Sequence, residues 1–277
     1  MRSMAQRIQP KKSLGQHFLV DKNIARKIVA LVQPQKGDVI VEIGPGKGIL
    51  TQFFLQTPAE VVAIEIDSRL VDYLQARFGD HPRLRIVAAD FREVDFARLD
   101  LPPGRIKWAG NLPYNLTSVV FFRLLEEVSR VHRAVFMVQR EVAERVVAGP
   151  GNRDYGILSV LLQTFFAVKF EFPVSRKVFR PMPEVESAVI SLENHHRIDL
   201  NCSTFDLVNL VKRSFNQRRK VLRNALRKWL SLEVQNELGF NFDRRPEEVP
   251  VEEWKELCQL LSKKGIRIPP LSGSSPQ

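Results

Sequence analysis

Val39-Ile40-Val41-Glu42-Ile43-Gly44-Pro45-Gly46-Lys47-Gly48 is the stretch on which the fold turns. Four of its first five residues are apolar and β-branched, so 39–43 reads as a strand covered on both faces, interrupted only by Glu42. The three glycines then let the backbone turn tightly and aim the next helix, which runs through Phe54, at whatever lies above the strand. The spacing is GxGxG rather than the GxGxxG of pyrophosphate-binding folds. On its own such a turn suits either a bound nucleoside or a plain strand-to-helix connection.

The same alternation continues on both sides. Upstream, Asp21 is placed to cap a helix with Ile24, Ile28, Leu31 and Val32 on one face, stopped by Pro34. Downstream, strands are expected at Val61–Ile66, Leu84–Ala89, Ile106–Ala109 and Ala134–Val138. Helices are expected at Ser68–Phe78, Thr117–Glu127 and Glu141–Ala148. Nearly continuous apolar strands alternating with helices indicate an α/β domain with a parallel sheet covered on both faces. A loop at Gly149–Gly156 precedes two more strand-like pieces, Phe165–Phe172 and Glu186–Leu192. Past residue 195 only helices are expected, at Phe205–Trp229, Glu233–Leu238 and Val251–Lys263. The expected organisation is a basic flexible arm over 1–20, a catalytic domain over 21–195, a helical domain over 196–264 and a Pro/Ser/Gly-rich disordered tail over 265–277.

Lysines and arginines (42) exceed aspartates and glutamates (31) in the 277 residues, a net charge of +11 that calls for a polyanionic partner. No apolar run approaches the roughly 18 residues of a membrane span, and the basic N-terminus lacks the apolar core of a secretory signal. Cys202 and Cys258 are isolated, and the five histidines form no ligand pattern, with His195-His196 in a polar segment. A cytoplasmic, monomeric protein with no metal and no membrane contact is expected.

In an open parallel sheet, ligands bind beyond the carboxyl ends of the strands. Four successive strand ends here carry suitable groups. After the glycine turn (Gly44, Gly46) comes Glu65, 21 residues beyond Gly44, where a carboxylate can accept both hydroxyls of a ribose. Its competing role is as a solvated carboxylate beside the helix that Asp67 starts. Asp90 could read an adenine amino group, with Ile66 and Phe91 sandwiching the ring, or could simply be a turn residue. Asn111-Leu112-Pro113-Tyr114 follows the fourth strand. The Asn111 side-chain oxygen and the Pro113 carbonyl are two acceptors for an exocyclic amine, and Tyr114 offers a stacking face. A nucleoside site without a pyrophosphate cradle, beside an amine-reading motif, points to S-adenosylmethionine and an N-methyltransferase. Its product would be S-adenosylhomocysteine. Reaching an adenine N6 in this way requires a flipped, unstacked nucleotide.

Seven ordered motifs from about Lys11 to Lys263 give the chain a resemblance to a known family. They are KKSLGQHFL (11–19), VEIGPGKGILT (41–51), AIEID (63–67), AADF (88–91), NLPYN (111–115), FRPMPEVESAV (179–189) and FNQRRKVLRNAL (215–226). The sequence resembles the small-subunit ribosomal RNA adenine N6,N6-dimethyltransferases. The resemblance implies a Rossmann-like, seven-stranded methyltransferase sheet with an antiparallel last hairpin, plus a small all-helical C-terminal domain. It also implies dimethylation of two adjacent adenosines in a hairpin near the 3′ end of small-subunit (16S) rRNA and a role in small-subunit biogenesis. The substrate would be that rRNA or an immature small ribosomal subunit. Cofactor contacts are implied for His17, Leu19, Gly44, Glu65, Asp90 and Asn111, and a second aromatic clamp for Phe179, opposite Tyr114. An aromatic before Pro181 and Pro183 could alternatively just pack the hairpin. His17 departs from the usual Asn, Lys47 replaces an apolar neighbour and is expected to face solvent, and Met182 interrupts the proline run.

Between Leu207 and Leu232 stand eight Lys or Arg and no acid. On a continuous helix Lys212, Arg213, Lys220, Arg223 and Arg227 would share one sector about 100° wide, beside an apolar one. With Arg218, Arg219, Lys11 and Lys12, they make the expected phosphate-tracking surface. Arg218 would project toward the apolar sector, so a helix break near Asn216-Gln217 is expected.

Overall fold

A computed structural model of the chain describes residues 8–102, 104–195 and 200–270. Two short segments come first: a 3-10 turn at Lys12–Leu14 and strand β1 (Phe18–Leu19). Then follow α1 (Lys22–Val32), β2 (Val39–Ile43), α2 (Thr51–Phe54), β3 (Glu60–Glu65), α3 (Ser68–Phe78), β4 (Leu84–Ala88), β5 (Ile106–Asn111), α4 (Thr117–Glu126), β6 (Val131–Gln139) and α5 (Arg140–Val147). The chain continues through α6 (Ile157–Phe165), β7 (Phe166–Val174), β8 (Phe179–Arg180) and β9 (Ser187–Asn194). The last helices are α7 (Thr204–Phe215), α8 (Leu222–Leu226), α9 (Leu232–Glu237) and α10 (Val251–Lys263).

Seven strands form one sheet in the order β4-β3-β2-β5-β6-β9-β7. β4, β3, β2, β5 and β6 run parallel, and β9 runs antiparallel to β6. From β2 the chain moves outward through β3 to β4, then returns to the other side of β2 with β5 and β6. The strand order therefore reverses between β2 and β5, where an open sheet leaves a crevice. This sheet is the Rossmann-like arrangement expected from the sequence. Asp21 caps α1 by accepting from the backbone N–H groups of Asn23 and Ile24, a cap worth about 1 kcal/mol. Ala25, Ile28, Val29 and Val32 bury the opposite face of that helix.

The chain divides into two compact units, Met1–Ala143 with Ala167–His196, and Glu144–Phe166 with Arg197–Gln277. Three expectations need correction. Residues 8–20 are not a free arm: β1 pairs antiparallel with β8, Phe18 against Arg180 and Leu19 against Phe179. Residues 1–7 lie outside the described residues. Segment 144–166, expected within the catalytic domain, belongs to the second unit, and it carries α6, a helix not expected from the sequence. Its residues ILSVLLQTF are apolar nearly all round, so periodicity does not separate helix from buried strand. Within the second unit α6 packs on α7 and α10, and the buried Tyr155 hydroxyl donates to the Val249 carbonyl at 2.9 Å. Finally, the tail is ordered as far as Pro270. Arg213 donates to the carbonyls of Pro269 and Pro270, and Ile268 is buried with its N–H on Asp206. Residues 271–277 lie outside the described residues.

Candidate active site

The glycine turn after β2 opens onto a cavity of about 350 Å³, built wholly from the first unit. Gly44 has φ +62°, and a Cβ there would meet only the Pro113 ring edge at 3.9 Å, so any side chain would project into the cavity. Gly48 is glycine for another reason: a Cβ would lie 2.6 Å from Phe78 on α3. The turn thus fits α3 on one side and keeps the cavity clear on the other.

His17, Leu19, Gly44, Gly46, Glu65, Ile66, Asp90, Phe91, Asn111, Pro113, Tyr114 and Phe179, the residues expected at the site, all line this cavity. Their states differ. Glu65, buried at the end of β3, accepts the Gly46 N–H at 3.1 Å and the Asp67 N–H at 3.0 Å. Burial pushes its carboxyl above the ordinary value. Ile66 is 48 % exposed and uncommitted, whereas Phe91 is buried edge-on against Phe96 and Trp108. Asp90 is already engaged by the Arg92 guanidinium, which holds its carboxyl below the usual range. A nucleobase amine would share Asp90 with Arg92.

Asn111 closes β5. Its Nδ2 donates to the backbone carbonyl of His17 at 2.9 Å, which assigns the amide and leaves Oδ1 as the acceptor of this cavity-lining residue. The Pro113 carbonyl is not a free second acceptor, because the Leu116 N–H (2.9 Å) and the Thr117 hydroxyl (3.3 Å) both reach it. The longer of these is the one a substrate amine could replace. Tyr114 is stacked against the His17 ring, with centroids 5.8 Å apart, and its hydroxyl lies 3.3 Å from that of Ser187. Burial raises the Tyr114 hydroxyl above its ordinary value. The His17 Nδ1 donates to the Pro181 carbonyl at 3.0 Å. Phe179 is 1 % exposed and packs into the core with Leu19, Ile28 and Val189. It is a buried wall in this arrangement, closer to the hairpin-packing alternative than to an open clamp.

Three groups were missed or misread in the sequence. Lys47 is only partly solvent-facing: its ammonium lies 4.8 Å from the Phe18 ring centre beside the cavity, and partial burial lowers its pKa. Asp67, apparently only a helix cap, also accepts from Lys11 and Gln16 and so ties the N-terminal segment down. Glu42 is fully buried in the cavity wall, with Oε2 accepting from the Thr51 hydroxyl at 2.7 Å and Oε1 without a protein partner.

The basic surface also changes. α7 ends at Phe215 and α8 begins only at Leu222, so the break near Asn216-Gln217 exists and the single cationic sector does not. Arg223 is held by Asp243 and Asn236, Arg218 by Glu247 and the Arg153 carbonyl, Arg213 by Pro269 and Pro270. Lys212 is half-buried in the last turn of α7, and Lys11 pairs with Asp67. The Lys12 side chain lies outside what the structure describes. Arg219, Lys220, Arg227 and Lys228 remain exposed.

Among the described residues no group of three or more His, Cys, Asp and Glu could hold a metal ion, and no helix is long and apolar enough to cross a membrane. A cavity with a buried unpaired carboxylate oxygen, a second acid of raised pKa and a glycine opening suits a cationic nucleoside.

The fold and this cavity together define a Rossmann-like methyltransferase. A family model described as ribosomal RNA adenine dimethylase matches residues 7–263, and the chain belongs to that family. It is 43% identical over 259 residues to the ribosomal RNA small subunit methyltransferase A of Parabacteroides distasonis, covering 94% of this chain and 96% of that one. The protein of the same name from Cupriavidus taiwanensis is 40% identical over 266 residues, covering 92% and 94%. Among solved structures, a dimethyladenosine transferase from Plasmodium falciparum matches with TM-score 0.75 at 25% identity, over 91% of this chain and 100% of that one. The 23S rRNA methyltransferase ErmE matches with TM-score 0.65 at 25% identity, over 88% and 99%.

Proposed function

We propose that the protein uses S-adenosylmethionine to dimethylate the N6 amines of two adjacent adenosines in a hairpin near the 3′ end of small-subunit rRNA, as a step in small-subunit biogenesis. The observation that carries this reading is the orientation of Asn111. Its Nδ2 is held by the His17 carbonyl, so that Oδ1 is left as the acceptor on a residue that lines the cavity. When bound, S-adenosylmethionine supplies a methyl group on a positively charged sulfur, which leaves as a neutral thioether with the carbon–sulfur bonding pair. Glu65 would take the ribose hydroxyls, Asp90 the adenine amine, and Ile66 and Phe91 the two ring faces. His17, Leu19 and the Gly44/Gly46 backbone would complete the wall.

The target N6 is a poor nucleophile because its lone pair is delocalised into the ring. Asn111 Oδ1, accepting one N–H, favours the pyramidal amine and aims the lone pair at the methyl carbon. The Pro113 carbonyl accepts the second N–H by exchange with the Thr117 hydroxyl. Tyr114 stacks on the flipped base, which requires the His17 ring to yield its place or to become the far wall. The new nitrogen–carbon bond leaves an acidic ammonium that loses its proton to solvent, so no strong base and no metal is needed. Arg219, Lys220, Arg227 and Lys228 would follow phosphates of the rRNA, the protein acting as a cytoplasmic monomer. Labelled methyl transfer should be compared on naked small-subunit rRNA, immature small subunits and large subunits. Transfer to small-subunit RNA supports the reading, and transfer confined to large subunits contradicts it.

A further inference from the structure

Glu42 occupies the centre of the sheet, in register with Ala63 on β3 and Ala109 on β5. Strand alternation puts Glu65, two residues beyond Ala63, and Asn111, two beyond Ala109, on the same face. All three line the cavity. Glu42 is the deepest of them, fully buried, and its Oε1 has no protein partner. A buried carboxylate oxygen left without a donor is costly, and a glutamine would fill the same space without charge. The feature that makes an ionisable group useful here is the charge of the ligand.

We propose that Glu42 is a proton-linked counter-charge for the methyl donor: it releases a proton to solvent when the sulfonium form fills the cavity and regains one when the sulfur is left as an uncharged thioether. This rests on reading the cavity as the methyl-donor site. Donor and product share an ammonium and a carboxylate and differ by the one positive charge on sulfur. A cation within a few ångströms favours the ionised carboxylate.

Burial pushes the Glu42 carboxyl up to about 7, opposed by its hydrogen bond from Thr51 and assisted by the charge of Glu65. His17, Lys47, Asp90, Arg92 and Tyr114 also line the cavity, but Glu65 is the group whose charge acts on Glu42. Lys107, lower on β5, is neutralised by Asp38 at 2.7 Å. Burial thus lets the free protein hold a proton on Glu42 at pH values where an ordinary carboxyl is fully ionised. Donor affinity should rise as pH increases toward 7 and level off above about 8, because the proton that must leave is already gone. Product affinity should change less, so product competes better at low pH.

Calorimetric titration of the full chain with S-adenosylmethionine and with S-adenosylhomocysteine, in phosphate and in Tris at pH 7, reads the protons released. Release of a measurable fraction of a proton is expected with the donor and clearly less with the product. Glu42→Gln should bind the donor with no proton release and with pH-independent affinity. Thr51→Val, which removes the side-chain hydrogen bond and keeps the backbone one, should shift the release to higher pH and serves if the glutamine variant fails to fold. No release by the natural protein, undiminished release by Glu42→Gln, or equal release with donor and product would overturn the proposal. Failure to bind either compound would instead overturn the reading of the cavity.

Discussion

The side-chain amide of Asn111 donates to the backbone carbonyl of His17 at 2.9 Å, across 94 residues of sequence. This bond joins the N-terminal segment to the end of β5 and leaves Oδ1 as the acceptor of the Asn111 amide. It makes the N-terminal segment part of the site, although the His17 ring itself is turned toward Tyr114 and Pro181.

Asn111→Ala removes the acceptor together with the bond to His17, while the N-terminal segment keeps its pairing of β1 with β8 and its contacts to Asp67. Methyl transfer should fall by about a hundredfold or more, the scale of losing one preorganised polar group, while RNA binding measured by filter retention is unchanged. An equal loss of RNA affinity would make Asn111 a structural residue.

Tyr114 separates stacking from hydrogen bonding. Tyr114→Phe loses only the 3.3 Å hydrogen bond with Ser187 and should keep kcat/KM within a few-fold. Tyr114→Ala should lower kcat/KM by about 10- to 100-fold, the worth of roughly 1–3 kcal/mol of base stacking. Equal losses in both variants would show that the hydroxyl, not the ring, matters.

Asp67 is the latch for residues 11–16. The Arg69 guanidinium first, then Gln16 and Lys11, hold its carboxyl well below the usual range. A depressed carboxyl contributes stability that is complete above its unfolded value near pH 4 and is lost as pH falls through the lower folded value. Asp67→Asn keeps a capping oxygen and removes the charge along with one of the two acceptor oxygens. It should lower stability to urea by about 1 kcal/mol at pH 7, since Lys11 and Arg69 are substantially exposed. The difference should shrink below about pH 4. A difference as large at pH 2 as at pH 7 would contradict the assignment.

Replacing Arg219, Lys220, Arg227 and Lys228 with alanine should weaken RNA binding and flatten its salt dependence, by up to about 0.7–0.9 in log–log slope for each phosphate no longer neutralised. Arg223→Ala, by contrast, breaks the pairing with Asp243 and Asn236. It should destabilise the helical unit more than it changes the salt slope. An unchanged slope in the fourfold variant would mean that these four cations are merely solvated.

The sheet was legible because its strands are largely apolar runs ending in glycine or polar residues: strand Val39–Ile43 has the bounds read from sequence, as does the helix Ser68–Phe78. The cavity residues were legible because they fall at strand ends, where chain order alone locates them. The non-local features were not. Pairing of Phe18–Leu19 with Phe179–Arg180 joins two-residue strands about 160 positions apart, too short for any pattern. The occupied state of the Pro113 carbonyl, the burial of Phe179 and the pairing of Arg223 with Asp243 each depend on a neighbour brought in by folding. α6 was hidden because its mostly apolar segment, with six of nine residues buried, does not separate helix from buried strand by periodicity.

The most direct test is mass-spectrometric mapping of small-subunit rRNA, taken from unmethylated particles incubated with the protein and S-adenosylmethionine. Dimethyladenosine at two neighbouring positions near the 3′ end is the predicted result. An unmodified small-subunit RNA, with methylation found only in large-subunit RNA, would contradict the account.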